Sequence, residues 1–266
     1  MKRSVGAVAT ACLLAVTFAA QAGCAGGEFI QQVVTGSGKL VTNTFDFSGF
    51  DRIEVSSVFE AEISPSNTFS VTTTTDDNVF EYVEVTKSGG TLVVRLKPGV
   101  VAIHATQRVA VAMPDLRSVS ISGASRGKVS EFATNNSVQL AASGASTMEL
   151  QAMKTGNTDI VVSGASRVTG TLEITGGSLV VSGASTVELT GSGGTIRLDD
   201  SGASSARLAD FPVVNASATV SGASNAAITL SGRLDADVSG ASRLTYGGSG
   251  TLGRVNVTGA STLTKR

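Results

Sequence analysis

The sequence predicts an all-β protein, a right-handed, three-sided parallel β-helix with about 19–20 residues per rung. Three observations predict it. The tetrapeptide Ser-Gly-Ala-Ser begins at Ser122, Ser143, Ser163, Ser182, Ser201, Ser221 and Ser239, with a Thr-led copy at Thr258, in steps of 18 to 21 residues. Apolar residues two apart flank each copy. The chain also has 31 glycines, no tryptophan and 5% aromatic residues, yet is 41% hydrophobic. That composition suits short β-branched strands joined by tight corners.

Counting the first corner Ser as position zero, position −3 reads Val119, Leu140, Ile160, Leu179, Leu198, Ala218, Ala236, Val255. Position −1 reads Ile121, Ala142, Val162, Val181, Asp200, Val220, Val238, Val257. Positions +5 and +7 are again mostly apolar, as in Met148, Val187, Leu150 and Leu208. Period-two alternation on both sides of a corner means strands with one buried face. Each repeat therefore reads strand, corner, strand and a Gly- or Thr-rich return. A period near 19 is too short for a helical repeat, and one repeat per rung stacks strands about 4.8 Å apart. Glycine at +1 supplies the positive φ of a sharp turn. Alanine at +2 is expected inside or against the bend, and the serines are expected to form hydroxyl ladders between rungs. The handedness of parallel crossovers makes the right-handed form the default. Position +6 is a solvated face, with Lys128/Glu149 and Glu188/Arg207 as opposite charges on adjacent rungs.

Ahead of the repeat, residues 45–118 contain further strand patterns at Arg52–Val58, Phe69–Thr75, Tyr82–Thr86, Thr91–Lys97 and Arg108–Ala112. A solenoid needs covered ends, and this segment is placed to supply N-terminal rungs and a cap. The chain closes on Lys265-Arg266, charges that oppose end-to-end stacking, although an uncovered edge there also offers a dimer contact. The repeat solenoid is assigned to 119–266 and a flexible tether to 25–44, the latter from its Gly, Gln, Ser and Thr content.

Residues 1–24 read as an export signal: Lys2 and Arg3, an uncharged apolar stretch from Val5 to Ala20, then Ala20-Gln21-Ala22-Gly23-Cys24. Ala20 and Ala22 suit ordinary signal peptidase. Ala22-Gly23-Cys24 also resembles a bacterial lipobox that makes Cys24 a lipidated first residue, while Gln21 departs from that pattern. Cys12 lies within the signal, so Cys24 has no intramolecular disulfide partner after cleavage. The expectation is an exported bacterial protein, in the periplasm, on the outer membrane as a lipoprotein, or at the cell surface.

The recurring corner, together with Phe50-Asp51-Arg52-Ile53-Glu54-Val55, the segment from Asp77-Asn78 to Val85, and Met113-Pro114-Asp115-Leu116, resembles a bacterial family of unknown function. That family is the putative autotransporter adhesin head domain, or head GIN domain. The resemblance covers about residues 45–264. It implies a secreted or lipoprotein-like envelope protein with a three-sided β-helix. The chain departs from a true autotransporter in having no stretch suited to a C-terminal membrane barrel.

For function, the net charge of −1 without a basic block excludes the electrostatic footprint of a nucleic-acid binder. His104 is the sole histidine, which excludes His-based triads and multi-His metal sites. Glycosidases that use β-helices need two carboxylates facing each other across the sugar. The nearest candidate is Asp199-Asp200, because Asp200 takes a −1 position that is apolar in the other seven copies. An inward carboxylate without a partner is costly, so a bulge or a bond to the corner serines is the plainer reading. Asp76-Asp77 reads as a turn. Three classes stand: a binding or adhesion module for a cell-surface glycan or protein, a structural envelope lipoprotein without a ligand, and a carbohydrate-active enzyme. The expectation is a non-enzyme without cofactor or metal, reaching the membrane through Cys24.

Overall fold

Glycine is the residue on which each turn pivots. In the computed structural model, which describes residues 31–266, the eight corner glycines from Gly123 to Gly259 have φ between +66° and +87°. A second constraint adds to the dihedral. A Cβ placed on Gly164, Gly183, Gly202, Gly222, Gly240 or Gly259 would lie 2.4–2.7 Å from the carbonyl oxygen of the corner glycine one turn below. The following alanine donates its N–H to that same carbonyl at 2.7–2.8 Å, from Ala165 through Ala260. The alanines themselves are exposed, so of the two expected placements they lie against the bend rather than inside it. The corner projects from the core, and small size there serves the close stacking of backbones.

The serine ladder is also of a different kind. The last corner serine is 0–2% exposed in seven copies, from Ser125 to Ser242. Its hydroxyl donates chiefly to the backbone below: Ser185 to Gly164 at 3.3 Å, Ser224 to Gly202 at 3.4 Å and Ser242 to Gly222 at 3.2 Å. A corner hydroxyl-to-hydroxyl contact occurs between Ser204 and Ser224 at 3.3 Å. The corner carbonyl below is a backbone acceptor that has to be satisfied.

In chain order the strands are β1 (Gln32–Thr35), β2 (Leu40–Phe45), β3 (Arg52–Val55), β4 (Glu60–Pro65) and β5 (Ser70–Asp76). A single helical turn α1 (Asp77–Phe80) follows, then β6 (Val83–Ser88), β7 (Thr91–Leu96), β8 (Val100–Ile103) and β9 (Gln107–Met113). The repeats begin with β10 (Ser118–Ile121), β11 (Arg126–Ser130) and β12 (Val138–Ala142). Next come β13 (Thr147–Val162), β14 (Arg167–Val181), β15 (Thr186–Asp200) and β16 (Ser205–Val220). The last are β17 (Asn225–Leu230), β18 (Arg233–Val238), β19 (Arg243–Gly247), β20 (Thr251–Val257) and β21 (Thr262–Lys265). From β13 to β16 no separate return exists. The chain stays paired from one corner to the next, interrupted by register shifts such as that between Leu150 and Met153. Backbone groups on the return are thereby satisfied by the neighbouring turn.

Two parallel stacks result. Before the corner run β7, β3, β10, β12 and the ends of β13 to β16, then β18 and β20. After the corner run β9, β4, β11, the starts of β13 to β16, then β17, β19 and β21. The molecule is a β-solenoid. It begins before residue 119, because β3 and β4 form a turn directly beneath the first repeat. Their corner is Ser56-Ser57-Val58-Phe59, in which Ser57 and Val58 carry φ of +68° and +70°. This is a degenerate copy, invisible to a search for Ser-Gly-Ala-Ser. Phe59, fully buried, replaces the inward serine.

Antiparallel strands close the N-terminal end. β6 adds to β7, and β5 then β2 add to β9, while β1 pairs with β8 in a separate ribbon. The tether expected over 25–44 is therefore corrected from residue 32 onward, where the chain is paired strand. Its Ser/Thr/Gly composition was read as linker, but alternation in Leu40–Phe45 lets one face pack. Residues 1–24, the signal and Cys24 lie outside the described residues.

Asp76 ties the cap together rather than marking a simple turn. It is 1% exposed, and its carboxylate accepts the N–H of Gly38 at 2.5 Å and of Thr106 at 2.7 Å. It thus joins the β1–β2 and β8–β9 connections. Asp77 beside it takes the hydroxyl of Ser37 at 2.6 Å and pairs with Lys39 at 3.3 Å; the Ser37 bond is the main reason its carboxyl titrates below the ordinary carboxylate range. Asp76→Ala should cost about 2–4 kcal/mol, since two amides lose a charged acceptor. Thermal unfolding checks this, together with faster hydrogen exchange at Gly38 and Thr106; unchanged exchange there contradicts the tie.

Inside, the −3 and −1 columns are 0–5% exposed from Val119 to Val238. Phe132 and Phe211 are among the largest fully buried side chains of the core. In the last turn the same columns open, with Val255 and Val257 at 40% and 41% exposure.

Candidate ligand-binding face

Asp199 and Asp200 point to opposite sides of β15, as alternation along a strand requires. Asp199 faces out and pairs with Arg197 at 2.8 and 3.1 Å. Asp200 faces in, 1% exposed, between Val181 and Val220 of the adjoining turns. Its Oδ1 takes the hydroxyl of Ser204, and its Oδ2 is buried without a partner. Burial pushes this carboxyl up to about 6, against the opposing pull of Ser204 and the Ala206 amide. The two aspartates therefore do not face a common ligand. Among the described residues no group of three or more His, Cys, Asp or Glu is placed to hold a metal. His104 sits exposed in the β8–β9 connection at φ +50°.

The outer side of the post-corner stack is different. Its residues line up in rows across the turns. One runs Thr74, Arg108, Glu60, Arg126, Thr147, Arg167; the next runs Thr72, Ala110, Glu62, Lys128, Glu149, Thr169, Glu188, Arg207. Glu60 lies between two arginines, 3.2 Å from Arg108 and 3.8 Å from Arg126. Of the two expected cross-turn pairs, Glu188–Arg207 closes at 3.1 Å. Glu149, although in register with Lys128, accepts instead from Gln151 at 2.7 Å.

This face is indented where its outward residues are small. Ala110 on β9 lies between longer neighbours, leaving a groove of about 460 Å³ lined by Glu60, Glu62, Thr72, Thr74 and Arg108. Beside it Ala112, Ser64, Ser70 and Ser130 line a second hollow with Lys128. Near the other end, Ala227 opens a third of about 390 Å³ with Arg207, Asn225, Arg243 and Thr245. Hydroxyls and charges of both signs on a fixed lattice suit hydrogen bonding to a polar polymer. Glu60 and Glu62 lie side by side on one strand rather than across a cleft, so this groove is not the geometry of glycoside hydrolysis.

Lys128, Arg126, Arg167 and Arg243 were visible as outward positions of the repeat. Glu60, Glu62, Arg108, Thr72 and Thr74 were not, because β4, β5 and β9 reach this face through pairings outside the repeat. Their signal is the alternation Glu60-Ala61-Glu62-Ile63, with apolar residues inward.

These features define a β-solenoid with a covered N-terminal end and one polar, grooved face. The chain belongs to the family described as "Putative auto-transporter adhesin, head GIN domain", whose model matches residues 49–250. The resemblance read from the corner motif is thus confirmed. No curated protein matches the sequence. The fold is similar to a putative adhesin from Parabacteroides merdae ATCC 43184, at 21% identity, TM-score 0.80, and coverage of 88% of this chain and 99% of that one. A putative adhesin from Parabacteroides distasonis ATCC 8503 is similar at 20% identity and TM-score 0.82, covering 88% and 100%. A putative lipid binding protein from the same strain is similar at 15% identity and TM-score 0.75, again covering 88% and 100%.

Proposed function

We propose that the protein is an exported, non-catalytic binding module of the bacterial cell envelope that takes an extended polar ligand, a cell-surface glycan or protein, along its post-corner face. The observation that carries this is the groove between Thr72/Thr74 and Glu60/Glu62, continued by rows of hydroxyls and charges over successive turns. Membership of an adhesin-named family and the adhesin names of two structural neighbours support it. The separation of Asp199 from Asp200 weighs against the carbohydrate-active enzyme. Glycan-array and cell-binding assays on the purified protein test the reading: saturable binding to a defined glycan or surface is expected, and failure of both would leave the ligand-free structural role. The module is held at the envelope through a lipid on Cys24. Metabolic labelling with a palmitate analogue should mark the wild-type chain and not Cys24→Ser; labelling of neither points to ordinary signal-peptidase cleavage.

A further inference from the structure

On the post-corner face the charges alternate strand by strand. In its two outer rows the cations sit on β9 (Arg108), β11 (Arg126 and Lys128), β14 (Arg167), β16 (Arg207) and β19 (Arg243). The strands between them carry none. There β4, β13 and β15 present Glu60, Glu62, Glu149 and Glu188, and β17 presents Asn225 and Ala227. Each cationic strand is thus two strand steps from the next, about 9.6 Å. The rows hold more cations than carboxylates, although the whole chain has a net charge of −1. Arg108, Arg126 and Arg207 pair with Glu60 or Glu188. Lys128, Arg167 and Arg243 are exposed and form no ion pair among the described residues.

Resting on the reading of this face as a binding surface, we propose that its ligand is a linear acidic polysaccharide with a carboxylate on every second sugar. The polymer lies along the stack, across the strands. Two strand steps match the length of a disaccharide, so successive anionic sugars meet successive cationic strands. Arginine takes a carboxylate through two parallel N–H donors. The uncharged sugars lie over the strands between, where Glu62, Glu149 and Asn225 accept from sugar hydroxyls. A polymer charged on every sugar would set half of its carboxylates against those glutamates, which costs affinity. A nucleic-acid strand, charged at every unit, meets the same repulsion. Each exposed ion pair is weak alone; repetition along one chain multiplies them.

Fluorescence polarisation of the purified protein with end-labelled oligosaccharides of about ten sugars, enough to reach from β9 to β19 at that spacing, tests this. Hyaluronan, with a carboxylate on every second sugar, is expected to bind at about 50 mM salt and to weaken at about 500 mM. Polygalacturonate, charged on every sugar, should bind about tenfold more weakly, and uncharged dextran not detectably. Lys128→Gln, Arg167→Gln and Arg243→Gln together should lower hyaluronan binding about tenfold or more while leaving the thermal midpoint in place. Glu62→Gln with Glu149→Gln should raise polygalacturonate binding toward that of hyaluronan. Polygalacturonate binding the wild type as tightly as hyaluronan would overturn the proposal. Tighter binding of poly-L-glutamate would overturn it too and assign the face to an acidic protein. Binding of neutral glycans alone, unchanged in the triple variant, would overturn it and leave the binding face standing; failure of every glycan and of cell binding would remove the face as well.

Discussion

Asp200→Val should make the protein more stable at pH 7.5 and remove the steepest part of its pH dependence between about pH 4 and pH 6. In the folded chain this carboxyl is raised to about 6 by burial in the apolar −1 column; in the unfolded chain it returns to about 3.9. Between those values the folded form holds a proton that the unfolded form has released, so stability falls as pH rises. Below about 4 the group adds no penalty, and above about 6 the penalty is complete. A shift of about 2 units corresponds to about 3 kcal/mol. Valine already occupies the equivalent positions in the turns on either side, at Val181 and Val220, so the substitution continues an existing column. Ser204 keeps a second acceptor in the Ser201 carbonyl at 2.7 Å. Asp200→Asn, neutral at every pH, should flatten the profile as well. Thermal unfolding of the three proteins from pH 4 to pH 8 reads the effect. A wild-type profile that rises with pH across this window, or one that Asp200→Val leaves unchanged, contradicts the account.

Gly183→Ala should destabilise far more than Gly38→Ala, although the two glycines have nearly the same backbone conformation, φ +74° and +79°. Both substitutions force an L side chain into the left-handed region, at a cost of about 1 kcal/mol or a little more. Nothing lies within 4 Å of a Cβ on Gly38. A Cβ on Gly183 would meet the Gly164 carbonyl oxygen at 2.5 Å and its nitrogen at 3.1 Å. Backbone in a stacked corner cannot step aside without lengthening the Ala184 to Gly164 hydrogen bond and those of adjoining turns. The expected loss at Gly183 is about 3 kcal/mol or more. Equal, small losses at both sites would show that the corner glycines serve the dihedral alone.

The corner glycines, the inner columns and the single polar exception at Asp200 were all readable, because each depends on spacing within a turn. What depended on pairing between turns was not. The serine at the fourth corner position reads as structural, but its acceptors follow only from the stacking: Ser185 and Ser242 donate to the corner carbonyl below, while Ser204 and Ser224 also meet hydroxyl to hydroxyl. The degenerate corner Ser56-Ser57-Val58-Phe59 kept the conformation of the repeat while losing its letters. β2 escaped notice because Thr and Asn dominate Leu40–Phe45, and its edge position in an antiparallel cap tolerates them. The polar groove was half legible. Its repeat side, from Arg126 and Lys128 onward, followed from the alternation. Its other wall came from β4, β5 and β9, whose partners lie about 35–50 residues away in the chain.

On the proposed function, binding is confined to the post-corner face and the other surfaces serve as support. The most direct measurement compares charge-reversed variants on two faces in the same glycan-array or cell-binding assay. Arg108→Glu with Lys128→Glu alters the groove wall on β9 and β11, whereas Arg197→Glu with Asp199→Arg exchanges an ion pair on the pre-corner face of β15. Binding should fall about tenfold or more in the first variant and stay near wild type in the second. Equal binding by both, or loss confined to the β15 variant, would contradict the assignment of the face.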